Sequence, residues 1–520
     1  MAGRVGHNRQ GGPTFLQTLL SVAFLSSARE ARGLSLRLGC EYRPVVMHVR
    51  TPVLSLLFLA CSSVETIPVV NEAPDAQSAM ADAGVDAGNA SDALTDTAIA
   101  VTPITCTDAV ADAYKAPSNL LELIDARRGD VVRCAPDTSI DKSTMASRVT
   151  NAGISMEVIT GATSYRVAYR TRKFDGSATI SSARIFLPTT SRLVDAPLLV
   201  AAHGTTGVAD LCAPSAYETV SDYLVLPAVA HGYAVIAPDY AGLGTPGIPA
   251  YLDNAEAGQG MLDAARALAK FTGADSTARI FVYGHSQGGG AALSAQILAP
   301  TYGVGLNVTG VVSFAPGWAT KVDVSALANP SLATAASLGA PAAFTSLILY
   351  SYFGNHLGET HKSEGFASSS RAAVTSLLES QCITQLPFSI PLVAPTFGSL
   401  IDATFRQTTL DCADGKPSCA EPGKSYLAAQ KANVLTAAKG GAPVLAIQGL
   451  NDTVVPPATF RCVADKLKAE GVDTMVCTDA QADHLGVVGR NSKLMLDWVD
   501  AKVDGKPVPT CTTSVLPACQ

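Results

Sequence analysis

Gly284-His285-Ser286-Gln287-Gly288 is the stretch on which the reading of this chain turns. An apolar run, Ile280-Phe281-Val282-Tyr283, precedes it, and a small-residue run, Gly289-Gly290-Ala291-Ala292-Leu293, follows it. That succession predicts a strand, a sharp turn and a helix. In this context G-x-S-x-G lifts a serine hydroxyl above the end of a sheet in strained backbone geometry. A side chain at 284 or 288 would collide across the turn, hence glycine at both positions. The motif alone also fits an ordinary glycine-rich turn; the flanking runs set this one apart and make Ser286 the expected nucleophile.

A serine hydroxyl is a poor nucleophile at neutral pH, so it needs a base, and the base needs an orienting acid. Of the eight histidines, His7 and His48 lie in the leader region, His203 and His285 belong to local motifs, His231 precedes a strand-like run, and His356 and His361 fall in the stretch read below as a cap. His484, in Ala482-Asp483-His484-Leu485-Gly486, follows the last strand-like run and is the expected base. The acid is expected at Asp452, where Pro443 to Gln448 runs into Gly449-Leu450-Asn451-Asp452 and then Val455-Pro456-Pro457. Asp483 is the rival, but a residue adjacent to the histidine is poorly placed to reach its far ring nitrogen. The order Ser, Asp, His along the chain is that of the α/β-hydrolases.

The tetrahedral intermediate of acyl transfer carries a negative oxygen that needs two preorganised N–H donors. The backbone of Gln287, directly after the serine, offers one. Leu198-Leu199-Val200-Ala201-Ala202 followed by His203-Gly204-Thr205-Thr206-Gly207 offers a strand and a loop for the other, assigned to the Thr205 N–H.

Extended segments are expected at 164–171 and 178–187, and short apolar runs recur at 197–202, 233–238, 279–283, 309–315, 443–448 and 474–478. Helix-like stretches such as Ala255 to Phe271 separate several of them. Buried strands alternating with helices predict an α/β fold, a mostly parallel central sheet with helices on both faces. The alternation breaks in an Ala- and Ser-rich stretch, read as an inserted, largely helical cap over the carboxyl ends of the strands. The boundaries expected are 106–316 and 437–520 for the hydrolase body and 317–436 for the cap.

The N-terminal part reads differently. Val53-Leu54-Ser55-Leu56-Leu57-Phe58-Leu59-Ala60, after Arg50 and before Cys61-Ser62-Ser63, has the make-up of a signal peptide. Its ending resembles a bacterial lipoprotein signal with Cys61 as the lipidated residue, although Phe58 and Leu59 stand where that signal prefers Leu and a small residue. Residues 1–60 are therefore read as leader, with 47–60 the signal and 1–46, which hold six arginines, a prefix upstream of a start at Met47. Residues 61–105 read as an Ala/Asp-rich tether. Seven acids and no Lys or Arg between 62 and 105 account for the whole net charge of −7, so the rest is near neutral and nucleic acid is not an expected partner. No run is apolar for the roughly 18 residues that a spanning helix needs.

Without Cys40 and Cys61, ten of the twelve cysteines remain, an even number that predicts disulfides in an exported protein. Cys412/Cys419 and Cys511/Cys519 are the simplest pairs by proximity. The absence of C-x-x-C and H-E-x-x-H spacing argues against a metal site.

Taken together these segments resemble the secretory lipases, of lipase A type, in the α/β-hydrolase superfamily. The likeness spans most of 110–511 and rests on Arg166-Val167-Ala168-Tyr169-Arg170-Thr171, the oxyanion segment with Cys212-Ala213-Pro214-Ser215, Asp239-Tyr240-Ala241-Gly242-Leu243-Gly244, Gly284 to Gly288, Asp452, His484 and the Trp498 region leading to Cys511. It implies a lipase or carboxylesterase with a Ser286–His484–Asp452 triad and a substantial cap that selects the acyl chain. The expected substrate is a small-molecule ester or lipid, acylglycerol or another apolar acyl ester, with no metal or organic cofactor. An exported serine peptidase or an acyltransferase on the same fold, and a non-catalytic surface lipoprotein, are the alternatives.

Overall fold

The computed structural model describes residues 104–519 apart from 119, 121–124, 194, 218–221, 329–334 and 438–439. The leader, the Cys61 lipidation site and nearly all of the 61–105 tether lie outside the described residues.

Each of the eight expected extended runs is a strand. They are β2 (Ala162–Arg172), β3 (Ala178–Pro188), β4 (Leu198–Ala202), β5 (Ala234–Pro238), β6 (Arg279–His285), β7 (Asn307–Phe314), β8 (Val444–Gly449) and β9 (Thr474–Asp479). β1 (Val131–Pro136) has no counterpart in the sequence reading, because Val-Val-Arg-Cys-Ala-Pro offers neither alternation nor a continuous apolar run. The sheet has the order β1-β2-β3-β5-β4-β6-β7-β8-β9. β1, β2, β3 and β5 pair antiparallel in succession, and the pairs from β5 through β4, β6, β7 and β8 to β9 are parallel.

Strand alternation sends successive side chains to opposite faces, and two apolar cores result. Leu198, Val200 and Ala202 of β4 with Ile280 and Val282 of β6 face one core, while Leu199, Ala201, Phe281 and Tyr283 face the other. Helices α1 (Lys142–Asn151), α2 (Asp222–Ala230), α3 (Asn254–Thr272) and α4 (Gln287–Leu298) connect the strands up to β7. The first core is closed by α3 and α4, and the second by α1 and α2. α3 shows why such a helix starts and stops where it does. The Asp253 carboxylate accepts from the Glu256 N–H at 2.8 Å, and Gly273 ends the helix in the left-handed conformation at φ 70°.

Between β7 and β8 the described residues form seven α-helices. They are α5 (Ser325–Ala328), α6 (Ala335–His356), α7 (Arg371–Ser380), α8 (Leu386–Val393), α9 (Phe397–Leu400), α10 (Ala403–Ala413) and α11 (Gly423–Ala432). Leu347, Phe353, Val374, Leu378, Ile390 and Phe405 give this segment an apolar core of its own, which meets the body through Val208, Ile248 and Tyr251. After it, α12 (Pro457–Ala469) joins the first sheet core and α13 (Gly486–Asp504) the second.

Among the described residues five disulfides join Cys106 to Cys134, Cys212 to Cys382, Cys412 to Cys419, Cys462 to Cys519 and Cys477 to Cys511. Cys412/Cys419 pair as expected, whereas Cys511/Cys519 do not. The C-terminal tail runs along β9, where the Thr478 N–H donates to the Thr512 carbonyl at 2.8 Å and the Ser514 N–H to the Thr478 hydroxyl at 2.8 Å. That course lays Cys511 on Cys477 and carries Cys519 on to Cys462 of α12, so proximity along an extended tail misleads.

Gly310 in β7 is a tightly packed point of the second core. A β-carbon there would lie 2.7 Å from the Trp498 ring of α13 and 2.8 Å from Phe281. Gly310→Leu is expected to destabilise the protein by about 1–3 kcal/mol through overpacking. Urea unfolding measures this, and an unchanged midpoint would contradict the packing described.

Candidate active site

β6 delivers Gly284 and His285 to the carboxyl edge of the sheet, and α4 begins at Gln287. Ser286 sits between them at φ 56°, ψ −117°, a left-handed-side conformation that a non-glycine residue holds only under constraint. The constraint is visible. Ser286 N–H donates to the Phe314 carbonyl at 2.9 Å, and the Ser286 carbonyl accepts from Gly290 at 3.1 Å and Gly317 at 2.8 Å. A β-carbon on Gly284 would overlap the Gly288 carbonyl, and one on Gly288 would overlap that of Ala202. Ser286 itself is only half-buried.

β8 and β9 end side by side, with Gly449 opposite Asp479. The loops beyond them carry Asp452 and His484 and are joined by a bond from the Asn451 N–H to the Ala482 carbonyl at 3.0 Å. All four lone-pair directions of the buried Asp452 carboxylate are used. Oδ1 accepts from the Val454 and Val455 amides at 2.8 and 2.9 Å; Oδ2 accepts from Gln448 Nε2 at 3.1 Å and from His484 Nδ1 at 2.7 Å. The carboxylate thereby assigns the His484 proton to Nδ1, which leaves Nε2 as the basic nitrogen. Asp483, the rival acid, is exposed and accepts from the Gly486 N–H at 2.7 Å at the start of α13.

His484 is tied to His285, the residue before the serine. The His285 Nε2 lies 2.7 Å from the His484 carbonyl, and the two rings stand 4.7 Å apart between centroids. On the other ring nitrogen, the Tyr223 hydroxyl is 3.2 Å from His285 Nδ1. Burial, with His484 alongside, pushes the His285 imidazole down to about 3, so it is neutral at any working pH.

The loop after β4 closes the site from the opposite side. A β-carbon on Gly204 would stand 3.5 Å from that of Ser286, which sets Thr205 next to the elbow. The Thr205 hydroxyl and the Tyr251 hydroxyl are 2.8 Å apart, the Thr206 carbonyl accepts from the Ile383 N–H at 2.8 Å, and the Tyr240 hydroxyl donates to the His203 carbonyl at 2.9 Å. Behind this loop the buried Asp239 carboxylate accepts from the Ser215 amide at 2.8 Å, the Ser182 hydroxyl at 2.7 Å and the Ser215 hydroxyl, and burial pushes it up to about 6. Ser286, Gln287 and the Thr205 loop thus meet at one end of the sheet with the Asp452–His484 pair beside them.

Gln448, His285 and Tyr223 were not singled out as functional in the sequence. Gln448 sits inside an apolar strand, and a lone polar residue there is the signal that could have marked it. Among the described residues no group of three or more His, Cys, Asp or Glu side chains is arranged to hold a metal ion. A cavity of about 460 Å³ begins at Gly317, whose amide holds the Ser286 carbonyl, and extends between Tyr251 and Trp318 on one side and Ile348, Tyr352 and His356 of α6 on the other.

Residues 213–331, which contain Ser286, match the model of the secretory lipase family, and residues 405–505, which contain Asp452 and His484, match that of the prolyl oligopeptidase family. No curated protein is similar to the chain in sequence at a significant level. Among solved structures, Candida antarctica lipase A is similar at 18% identity and a TM-score of 0.56 over 79% of this chain and 89% of that one. The rice cell wall degrading esterase LipA from Xanthomonas oryzae is similar at 18% identity and a TM-score of 0.53, over 72% and 97%. A putative hydrolase from Legionella pneumophila reaches 18% identity and a TM-score of 0.56, over 73% and 100%. These likenesses place the fold. The chain thus has the α/β-hydrolase fold and, through the family match across the elbow, is a carboxylic ester hydrolase that resembles the secretory lipases over residues 213–331.

Proposed function

We propose that Ser286, His484 and Asp452 form a catalytic triad that hydrolyses carboxylic esters through an acyl-enzyme. The observation that carries this reading is the 2.7 Å bond from His484 Nδ1 to a fully saturated Asp452, with the His484 carbonyl bonded to His285, the residue before a serine at positive φ. His484 Nε2 takes the Ser286 proton as Oγ attacks the ester carbonyl. The Thr205 and Gln287 N–H groups receive the oxyanion, and His484 returns the proton to the leaving alcohol. Water activated by the same nitrogen then releases the acid. The helical segment, with proposed bounds 317–436, acts as the cap. The groove under it takes the acyl chain of a small-molecule ester or lipid.

Five disulfides support export, since such bonds persist in oxidising compartments. The lipoprotein-like ending at Cys61 supports a lipid anchor. The match at 405–505 favours one second reading, a serine peptidase on the same triad. An acyltransferase differs only in the alcohol that deacylates the serine.

Assays on p-nitrophenyl esters and on peptide p-nitroanilides separate these readings: turnover of the esters is expected, and turnover of the anilides alone would replace the esterase with the peptidase. Ser286→Ala and Asp452→Asn are each expected to lower kcat by about 10⁴-fold or more with the thermal melt retained. Wild-type-like activity in either would remove that residue from the triad. Ile348→Trp is expected to narrow the groove, so that kcat/KM falls for long-chain esters and holds for acetate; a parallel loss at every length would detach the groove from the acyl chain. For location, Cys61→Ser is expected to move the protein from the membrane to the soluble fraction, and unchanged fractionation would contradict lipidation.

A further inference from the structure

The geometry points to His285 as a positioning residue for the reaction, one that fixes the base His484 to the strand that carries the nucleophile. This rests on the triad reading above and extends it to a residue that neither contacts the ester nor moves a proton.

His285 is the last residue of β6 and precedes Ser286. Its side chain turns away from the substrate side into the body, where it is 2% exposed. The acceptor facing Nε2 is a backbone carbonyl, that of His484 at 2.7 Å, so this nitrogen must carry the proton. Nδ1 is then the acceptor, and the Tyr223 hydroxyl at 3.2 Å is its donor. The neutral Nε2–H tautomer meets both demands, and burial disfavours the cation. Tyr223 thus selects the His285 tautomer, and His285 pins the His484 main chain.

The consequence is geometric. Asp452 fixes the His484 ring through Nδ1, but Asp452 belongs to the loop after β8, two strands from the nucleophile. The His285 bond ties the backbone of the base directly to the residue next to Ser286. Proton transfer requires Nε2 within hydrogen-bond reach of Oγ, and displacement by about 1 Å costs about 100-fold in rate. A neutral ring 4.7 Å from His484 also brings no positive charge against the imidazolium that forms during each acyl-transfer step.

His285→Phe keeps a flat ring and deletes the donor, whereas His285→Gln sets an amide N–H near the place of Nε2. Steady-state hydrolysis of p-nitrophenyl butyrate by the full chain reads the difference. His285→Phe is expected to lower kcat about 10- to 100-fold with KM within about twofold, and His285→Gln to recover kcat to within about fivefold of wild type. Near-wild-type kcat in His285→Phe would overturn the proposal. So would an equal loss in both variants with native melts, since the donor would then not be the cause. Tyr223→Phe deletes one oxygen and is the second probe should His285→Phe fold poorly. It is expected to lower kcat about two- to fivefold, and an unchanged kcat would overturn the relay. Failure of the triad itself would register separately, as turnover in Ser286→Ala.

Discussion

A β-carbon at position 288 would occupy the space of the Ala202 carbonyl, and one at 284 that of the Gly288 carbonyl. Two glycines therefore let the start of α4 press against the end of β4, and that close approach forces Ser286 to φ 56°. The rest of the site depends on it. The approach brings the loop after β4 against the elbow, sets the Gln287 amide beside the serine, and turns His285 inward to meet the His484 carbonyl. Tyr240 and Ala315, at φ 73° and 42°, follow β5 and β7 at the same edge of the sheet. Backbone strain gathers where the chemistry is built, and the two packed cores on either face of the sheet hold it there.

The helical segment between β7 and β8 has its own apolar core, yet it is tied to the loop after β4 at a specific place. Cys212 bonds to Cys382, and the Ile383 N–H reaches the Thr206 carbonyl at 2.8 Å. A β-carbon on Gly207 would lie 2.8 Å from the Cys212 sulfur, so the loop turns directly against this link. The segment that lines the groove thus shares anchors with the loop that borders Ser286. On the proposed reading, the groove that takes the acyl chain and the loop that receives the oxyanion are neighbours.

The parallel strands could be read in the sequence because each is a short, mostly apolar run between turn residues. The elbow could be read because glycine at 284 and 288 has a steric cause. Asp452 and His484 followed from their places after the last two strands, and the structure sets them 2.7 Å apart. β1 was hidden because an edge strand with Arg133 and Cys134 has no apolar alternation. The pairing of Cys511 was hidden because it depends on the tail running along β9, a tertiary fact without a local signal. Gln448 acts on Asp452 from the strand just before it, whereas His285 reaches His484 across strand ends, 199 positions away in sequence. Spacing reveals a residue's own element, whereas such contacts arise only when separate elements pack.

The central claim is that this edge of the sheet activates one serine. Treatment with a p-nitrophenyl organophosphonate, followed by peptide mapping by mass spectrometry, tests it most directly. The account predicts one phosphonyl group per chain, on Ser286, with loss of ester hydrolysis in step with labelling. Loss of activity with the adduct on another residue, or full activity after Ser286 is labelled, would contradict it.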